Sequence, residues 1–242
     1  MSRTALLVDG LTVRFGSFRA LNELSLAIDY GEVRAIIGPN GAGKTTLLDV
    51  ISGITRPSQG RVLFDGGTVL TGLSEAAIAR AGLRRKFQKP SVFEGLSVRQ
   101  HIAIGADVGF RARLDAPALE DRVGEVLEIV GLVDQSHRLA GELSHGQKQW
   151  LEIGMVLASD PKVLMLDEPV AGLTDEETER TAALVRALKR PDRAIVVVEH
   201  DMDFVERIAD RVTVLHEGRT LFEGSMDKVR ADAAVVDVYL GR

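Results

Sequence analysis

One stretch constrains this chain more than any other: Gly38-Pro39-Asn40-Gly41-Ala42-Gly43-Lys44-Thr45-Thr46. It fits the pattern G-x-x-x-x-G-K-[ST], with the apolar run Val33 to Ile37 before it and a helix-forming run from Lys44 after it. That context predicts a strand, a tight loop and a helix. Gly38, Gly41 and Gly43 let the backbone curl into a nest with its N–H groups turned inward, which a Cβ at those positions is expected to obstruct. A helix starting at Lys44 adds four unpaired N–H groups and the positive end of its dipole. Such a cradle suits the polyphosphate of a nucleotide, with Lys44 reaching the β- and γ-phosphates and the Thr45 hydroxyl ligating Mg²⁺.

The 242 residues, 45% of them hydrophobic, suffice for one large α/β domain with room for a subdomain. There is no cysteine, so disulfide and thiol chemistry are excluded. A net charge of −5 gives no global attraction to nucleic acid or an anionic membrane. The apolar segment near Met1 is too short for a signal peptide, and no run approaches the roughly 18 apolar residues of a membrane span. A soluble, cytoplasmic chain is expected, with any membrane role mediated by a protein partner.

Read in order, Leu7–Phe15 and Leu21–Ile28 alternate in part and predict strands. Phe15 is then either an adenine stacker or an ordinary core residue. Gly53 stops the helix after the loop, Arg61–Gly66 predicts a short strand, and Ser74 caps a helix to Ala81. Gly82–Pro90 reads as a strand running out at Gln88, its four basic residues forming a solvated face and no phosphate site. From Ser97 to Val130 the pattern turns helical, interrupted by a link from Asp107 to Pro117, and Leu143-Ser144-His145-Gly146-Gln147 precedes a helix from Lys148 to Ala158. The strand Lys162–Pro169 follows, then a helix Asp175–Lys189, a strand Ala194–Glu199, a short helix Met202–Ala209, a strand Arg211–Leu215, a hairpin at Gly218 and one C-terminal helix.

Lys162–Pro169 is near-continuously apolar, as a buried parallel strand is, and ends in two carboxylates. Asp167 stands where open α/β sheets place ligand groups and can hold Mg²⁺ through water. Glu168 beside it is placed to polarise an attacking water as general base.

Gly38–Thr46, Gln88, Leu143–Gln147, Leu164-Met165-Leu166-Asp167-Glu168-Pro169 and His200 resemble, in order, the phosphate loop, Q-loop, signature, Walker B and switch histidine of an ABC transporter ATPase cassette. The resemblance covers essentially the whole chain, and the signature discriminates it from other phosphate-loop enzymes. It implies an α/β fold: a P-loop NTPase (RecA-like) core with an N-terminal antiparallel β subdomain and an inserted α-helical subdomain. Approximate bounds are 1–88 and 159–242 for the core with its β subdomain and 89–158 for the helical subdomain.

The resemblance also implies roles. ATP and Mg²⁺ are the cofactors. Phe15 stacks on adenine, Gln88 touches Mg²⁺ and the attacking water, and His200 contacts the γ-phosphate. Ser144 and Gly146, with Gln147 in the same signature, cap the γ-phosphate of a nucleotide bound to a second cassette. Two positions depart from the family pattern: His145 stands where the signature more often has Gly, and Thr174 where the loop after Walker B often has Asp.

Within the family the chain is similar to cassettes of branched-chain amino acid importers, and the details of Arg85–Glu94 and Ser144–Gly154 look most like the urea-type branch. The implied assembly has two transmembrane permease subunits, a second and different cassette, and indirectly a substrate-binding protein. It places the chain on the inner face of the cell membrane. A soluble ABC ATPase of DNA repair or translation, an exporter cassette and a non-hydrolysing regulatory module are the rivals. The single cassette without basic tail, the lack of a fused membrane domain and the presence of Asp167, Glu168 and His200 speak against them in turn.

Overall fold

A computed structural model describes residues 3–88, 91–109 and 115–240. Strands β1 (Thr4–Phe15) and β2 (Phe18–Asp29) pair antiparallel around Gly16, which sits at φ +61°. In β3 (Val33–Ile37) every residue is buried, and the strand feeds the phosphate loop and α1 (Lys44–Ser52). Gly53 ends α1 in the left-handed conformation expected of a C-terminal glycine. Strand β4 (Gln59–Phe64) starts two residues before the expected Arg61, and a short β5 (Thr68–Val69) pairs with it. Together β2-β1-β4-β5 form a four-stranded antiparallel sheet.

Ser74 caps α2 (Glu75–Ala81), accepting from the Ala77 N–H at 3.3 Å. Strand β6 (Leu83–Lys86) stops two residues short of Gln88; Lys89 and Pro90, at the end of the expected strand, lie outside the described residues. Helices α3 (Val98–Gly109) and α4 (Ala116–Val130) shorten the expected link from both sides, and its residues 110–114 lie outside the described set. Helix α5 (His145–Ala158) begins three residues before Lys148 because Ser144 caps it.

The chain continues through β7 (Val163–Asp167), α6 (Asp175–Ala187), β8 (Ala194–Val198), α7 (Met202–Ile208), β9 (Arg211–His216) and β10 (Arg219–Gly224). The C-terminal helix is broken into α8 (Met226–Ala231) and α9 (Ala233–Leu240). Asp232 causes the break: its backbone is extended and its carboxylate accepts from the Val235 N–H at 3.0 Å, starting a new helix.

Among the described residues β10-β9-β3-β8-β7-β6 make a six-stranded sheet, parallel except for β10 at one edge. Its register aligns Ile36 with Val198, Val198 with Asp167, and Leu166 with Lys86. The phosphate loop, both carboxylates, His200 and Gln88 therefore leave the same edge of the sheet, strands being about 4.8 Å apart. Side chains alternate between its faces. Ile36, Met165 and Val198 pack with α1 and the antiparallel sheet, whereas Leu164, Leu166 and Val197 pack with Ile102, Val126 and Ile153 of α3, α4 and α5. The inserted helices thus share a core with the sheet. No described helix is long and apolar enough to cross a membrane.

Candidate active site

The phosphate loop is shaped by its neighbours. A Cβ on Gly38 would stand 2.2 Å from the Leu215 carbonyl oxygen, and one on Gly43 2.7 Å from the Ala20 carbonyl oxygen and the Leu21 side chain. Neighbouring strands add a second reason for these glycines: at Gly38 (φ +152°) and Gly43 (φ +102°) the backbone conformation already disfavours a side chain, and a Cβ would also collide with β9 and β2. Gly41 has open space around its α-carbon but sits at φ +80°, where an L side chain is strained. Lys44, nearly buried, donates from Nζ to the carbonyls of Gly38 at 2.6 Å and Pro39 at 3.1 Å. Burial lowers its pKa, and Glu168, Asp167 and Glu199 pull it partly back up.

A cavity of about 200 Å³ opens on the loop, lined by Asn40, Gly41, Ala42, Gly43, Lys44, Thr45 and Thr46 together with Phe15, Phe18, Ala20 and Glu168. Phe15 is 55% exposed and Phe18 59%, so Phe15 is no core residue. Two aromatic rings together with N–H donors, an ammonium and hydroxyls suit a base and a polyphosphate. Sequence reasoning missed Phe18 and Ala20, which reach the cavity only through the β1–β2 hairpin.

Asp167 is buried, and its Oδ2 accepts from Arg85 Nη2 at 2.6 Å while Arg85 Nη1 donates to Asp49 of α1, also at 2.6 Å. The guanidinium lies 4.8 Å from the Phe87 ring centroid. Lys86 is wholly buried, 3.9 Å from Glu152 of α5, whose carboxylate also takes the Ser91 N–H. Burial lowers the Lys86 pKa and raises that of Glu152. The expectation that the basic residues here form a solvated face is therefore wrong for Arg85 and Lys86: β6 is an edge strand of the sheet, but α1, α2 and α5 pack against it.

Glu168 adopts φ +46°, a left-handed conformation costing about 1–2 kcal/mol for a residue with a Cβ. Its N–H is held by the Val198 carbonyl at 2.9 Å, and its Oε2 accepts from Gln88 Nε2. The structure thus joins Gln88 to Glu168, which lines the cavity together with Lys44. His200 stays outside this group, its side chain 66% exposed and clear of the cavity lining. The residue before it, Glu199, is completely buried and went unremarked in the sequence, although a carboxylate ending the apolar run Ala194–Val198 is the same signal that marks Asp167.

Ser144, Gly146 and Gln147 begin α5 and do not line the cavity. Ser144 Oγ accepts from the Gln147 N–H at 3.2 Å and the Gln147 side chain accepts from the Ser144 N–H at 3.0 Å, a capping box that commits the Gln147 amide to the helix start. Gly146 leaves room for Glu177, whose carboxylate a Cβ would meet at 2.3 Å. His145 Nε2 lies 3.1 Å from the Ala171 carbonyl, tying the signature to the loop after β7. Thr174 caps α6 through a second capping box with Glu177.

The description ABC transporter matches residues 21–171. Over its whole length the chain is 37% identical to a protein of Pseudomonas aeruginosa named high-affinity branched-chain amino acid transport ATP-binding protein BraF, of which 99% is covered. It is 36% identical to the Escherichia coli high-affinity branched-chain amino acid transport ATP-binding protein LivG, again with all of this chain and 99% of the relative covered. Among solved structures, a nucleotide-free ATP-binding cassette from an ABC transporter superposes with TM-score 0.86 at 30% identity, covering 99% of this chain and all of that one. The ADP conformation of another such cassette superposes with TM-score 0.87, also at 30% identity and with 99% of each chain covered. The chain belongs to the ATP-binding cassettes of ABC transporters, ATPases whose turnover is coupled to transport.

Proposed function

We propose that this cassette is the ATP-hydrolysing subunit of an importer of branched-chain amino acids. One observation carries the reading: full-length likeness to proteins named for that transport, with no part of either chain left over beyond 1%. The urea-type reading of Arg85–Glu94 and Ser144–Gly154 finds no support in those names. Two transmembrane permease subunits, a second cassette of different sequence and a substrate-binding protein complete the proposed complex, which holds the chain at the inner face of the membrane.

In this reading Phe15 stacks on adenine, with Phe18 beside it. Gly38 to Thr46 wrap the phosphates, and Lys44 exchanges its contacts with the Gly38 and Pro39 carbonyls for phosphate oxygens. Glu168 orients and deprotonates the attacking water, Gln88 holds Glu168 and the water in place, and His200 moves in to the γ-phosphate. Ser144 and Gly146 face the nucleotide of the second cassette, in keeping with their place outside the lining of this chain's own cavity.

The residues fit Mg²⁺. Thr45 offers a hydroxyl at the cavity wall, Asp167 a carboxylate with one oxygen on Arg85, and Gln88 an amide oxygen, all hard donors. No cluster of three carboxylates or imidazoles able to cage a metal exists among the described residues, which suits an ion held mainly by phosphate and water. When bound, the ion neutralises charge on the β- and γ-phosphates.

The test is capture of tagged Glu168→Gln protein from detergent-solubilised native membranes with ATP and Mg²⁺, followed by uptake assays in cells lacking the gene. Two multi-span proteins and a second cassette, with lost uptake of leucine, isoleucine and valine, support the proposal. Lost urea uptake with intact amino acid uptake restores the urea reading, and recovery of ribosomal or DNA-repair proteins removes the importer altogether.

A further inference from the structure

Glu199 takes no part in the scheme above, yet it is the most thoroughly enclosed carboxylate near the site, with no exposed surface. It follows β8, and its own N–H reaches the Ile36 carbonyl at 3.3 Å, so its backbone is anchored to the strand that feeds the phosphate loop. Its two oxygens gather backbone donors from two separate loops. Oε1 accepts from the Val170 N–H at 3.1 Å, in the turn that starts at Glu168. Oε2 accepts from the His200 N–H at 3.0 Å and lies 3.5 Å from the Asp201 N, where α7 begins. His200 Nδ1 stands 3.7 Å from the same oxygen.

We infer that Glu199 is a positioning residue that clamps the Glu168 turn and the His200 turn into one unit, so that general base and γ-phosphate sensor move together. The left-handed backbone of Glu168 needs outside support, and the turn running from it is pinned at Val170 by this carboxylate. A neutral hydrogen bond acceptor would be easier to bury than an ion, and burial does push the Glu199 pKa up while the three N–H groups push it down. A carboxylate retained there has the geometry to accept from both sides at once, which an amide lacks because half of it is a donor.

The inference rests on the roles proposed for Glu168 and His200, and the experiment separates the two. ATP turnover and nucleotide affinity are measured in the intact chain for Glu199→Gln, His200→Ala, Glu168→Gln and the Glu199→Gln/His200→Ala pair. We expect Glu199→Gln to lower kcat by about tenfold or more while KM and nucleotide affinity change by less than about twofold, and to cost little more once His200 is already alanine. Unchanged kcat in Glu199→Gln, or losses that multiply with His200→Ala, overturns the clamp. Full turnover in both Glu168→Gln and His200→Ala overturns the site reading instead. If Glu199→Gln does not fold, hydrogen exchange on the wild type decides. Val170 and His200 amides that open with one common free energy support a shared anchor, and amides that open independently refute it.

Discussion

Arg85 Nη2 and Asp167 Oδ2 are 2.6 Å apart with both side chains buried, so the Walker B carboxylate is ion-paired to β6, the strand that leads to Gln88. The same guanidinium holds Asp49 at 2.6 Å. Removing a buried partner strands the opposite charges, which typically costs about 3–5 kcal/mol. Arg85→Met is therefore expected to lower the unfolding free energy by that amount, and Arg85→Lys by less. A variant as stable as wild type in equilibrium unfolding would show the pairing to be energetically idle.

The glycines of the phosphate loop separate by mechanism. Gly38→Ala and Gly43→Ala place a methyl against fixed backbone and are expected to abolish nucleotide binding through distortion of the loop. Gly41→Ala meets no atom and carries only left-handed strain, about 1–2 kcal/mol. Isothermal titration with ATP and a thermal melt on each variant checks the order.

Thr174 gives a cleaner case of stability without chemistry. Thr174→Ala removes the α6 cap and is expected to cost about 0.5–2 kcal/mol, whereas Thr174→Asp caps equally well and leaves stability within about 0.5 kcal/mol of wild type. Urea titration reads both. An alanine variant of unchanged stability would mean that Glu177 alone holds the helix start.

Glu152 and Glu199 both have pKa values raised above the ordinary 4.5 by burial. Between that value and their raised ones the folded chain binds more protons than the unfolded chain, so these two groups make stability fall as pH rises through the window. Glu152→Gln and Glu199→Gln are expected to flatten that fall. Unfolding free energies measured from pH 4 to pH 8 test the sign, and a wild type whose acid-side slope is matched by both variants contradicts it.

The order of elements was legible because buried parallel strands announce themselves. Val33–Ile37, Lys162–Pro169 and Ala194–Glu199 are apolar runs too short for helices, and each became a strand within one or two residues. Caps were legible where a Ser preceded a helical run, as at Ser74, and missed where the motif reading drew attention elsewhere, as at Ser144 and Thr174. Arg85 and Lys86 were misread because burial of a charge depends on partners 36 to 82 positions away, which no local pattern encodes. Phe15 was undecidable for the related reason that its exposure depends on what faces the hairpin.

The register of β3 sets a timetable for synthesis on the ribosome. Its sheet partners are β8 and β9, and the loop that follows it leans on Leu215 and receives the Gly218 N–H through the Ala42 carbonyl at 3.1 Å. All of these lie more than 150 residues downstream. At about 5–20 residues per second, the emerging nucleotide cradle waits on the order of ten seconds for the strands that close around it. Nascent chains halted before β8 would display the full phosphate-binding motif and hold no nucleotide.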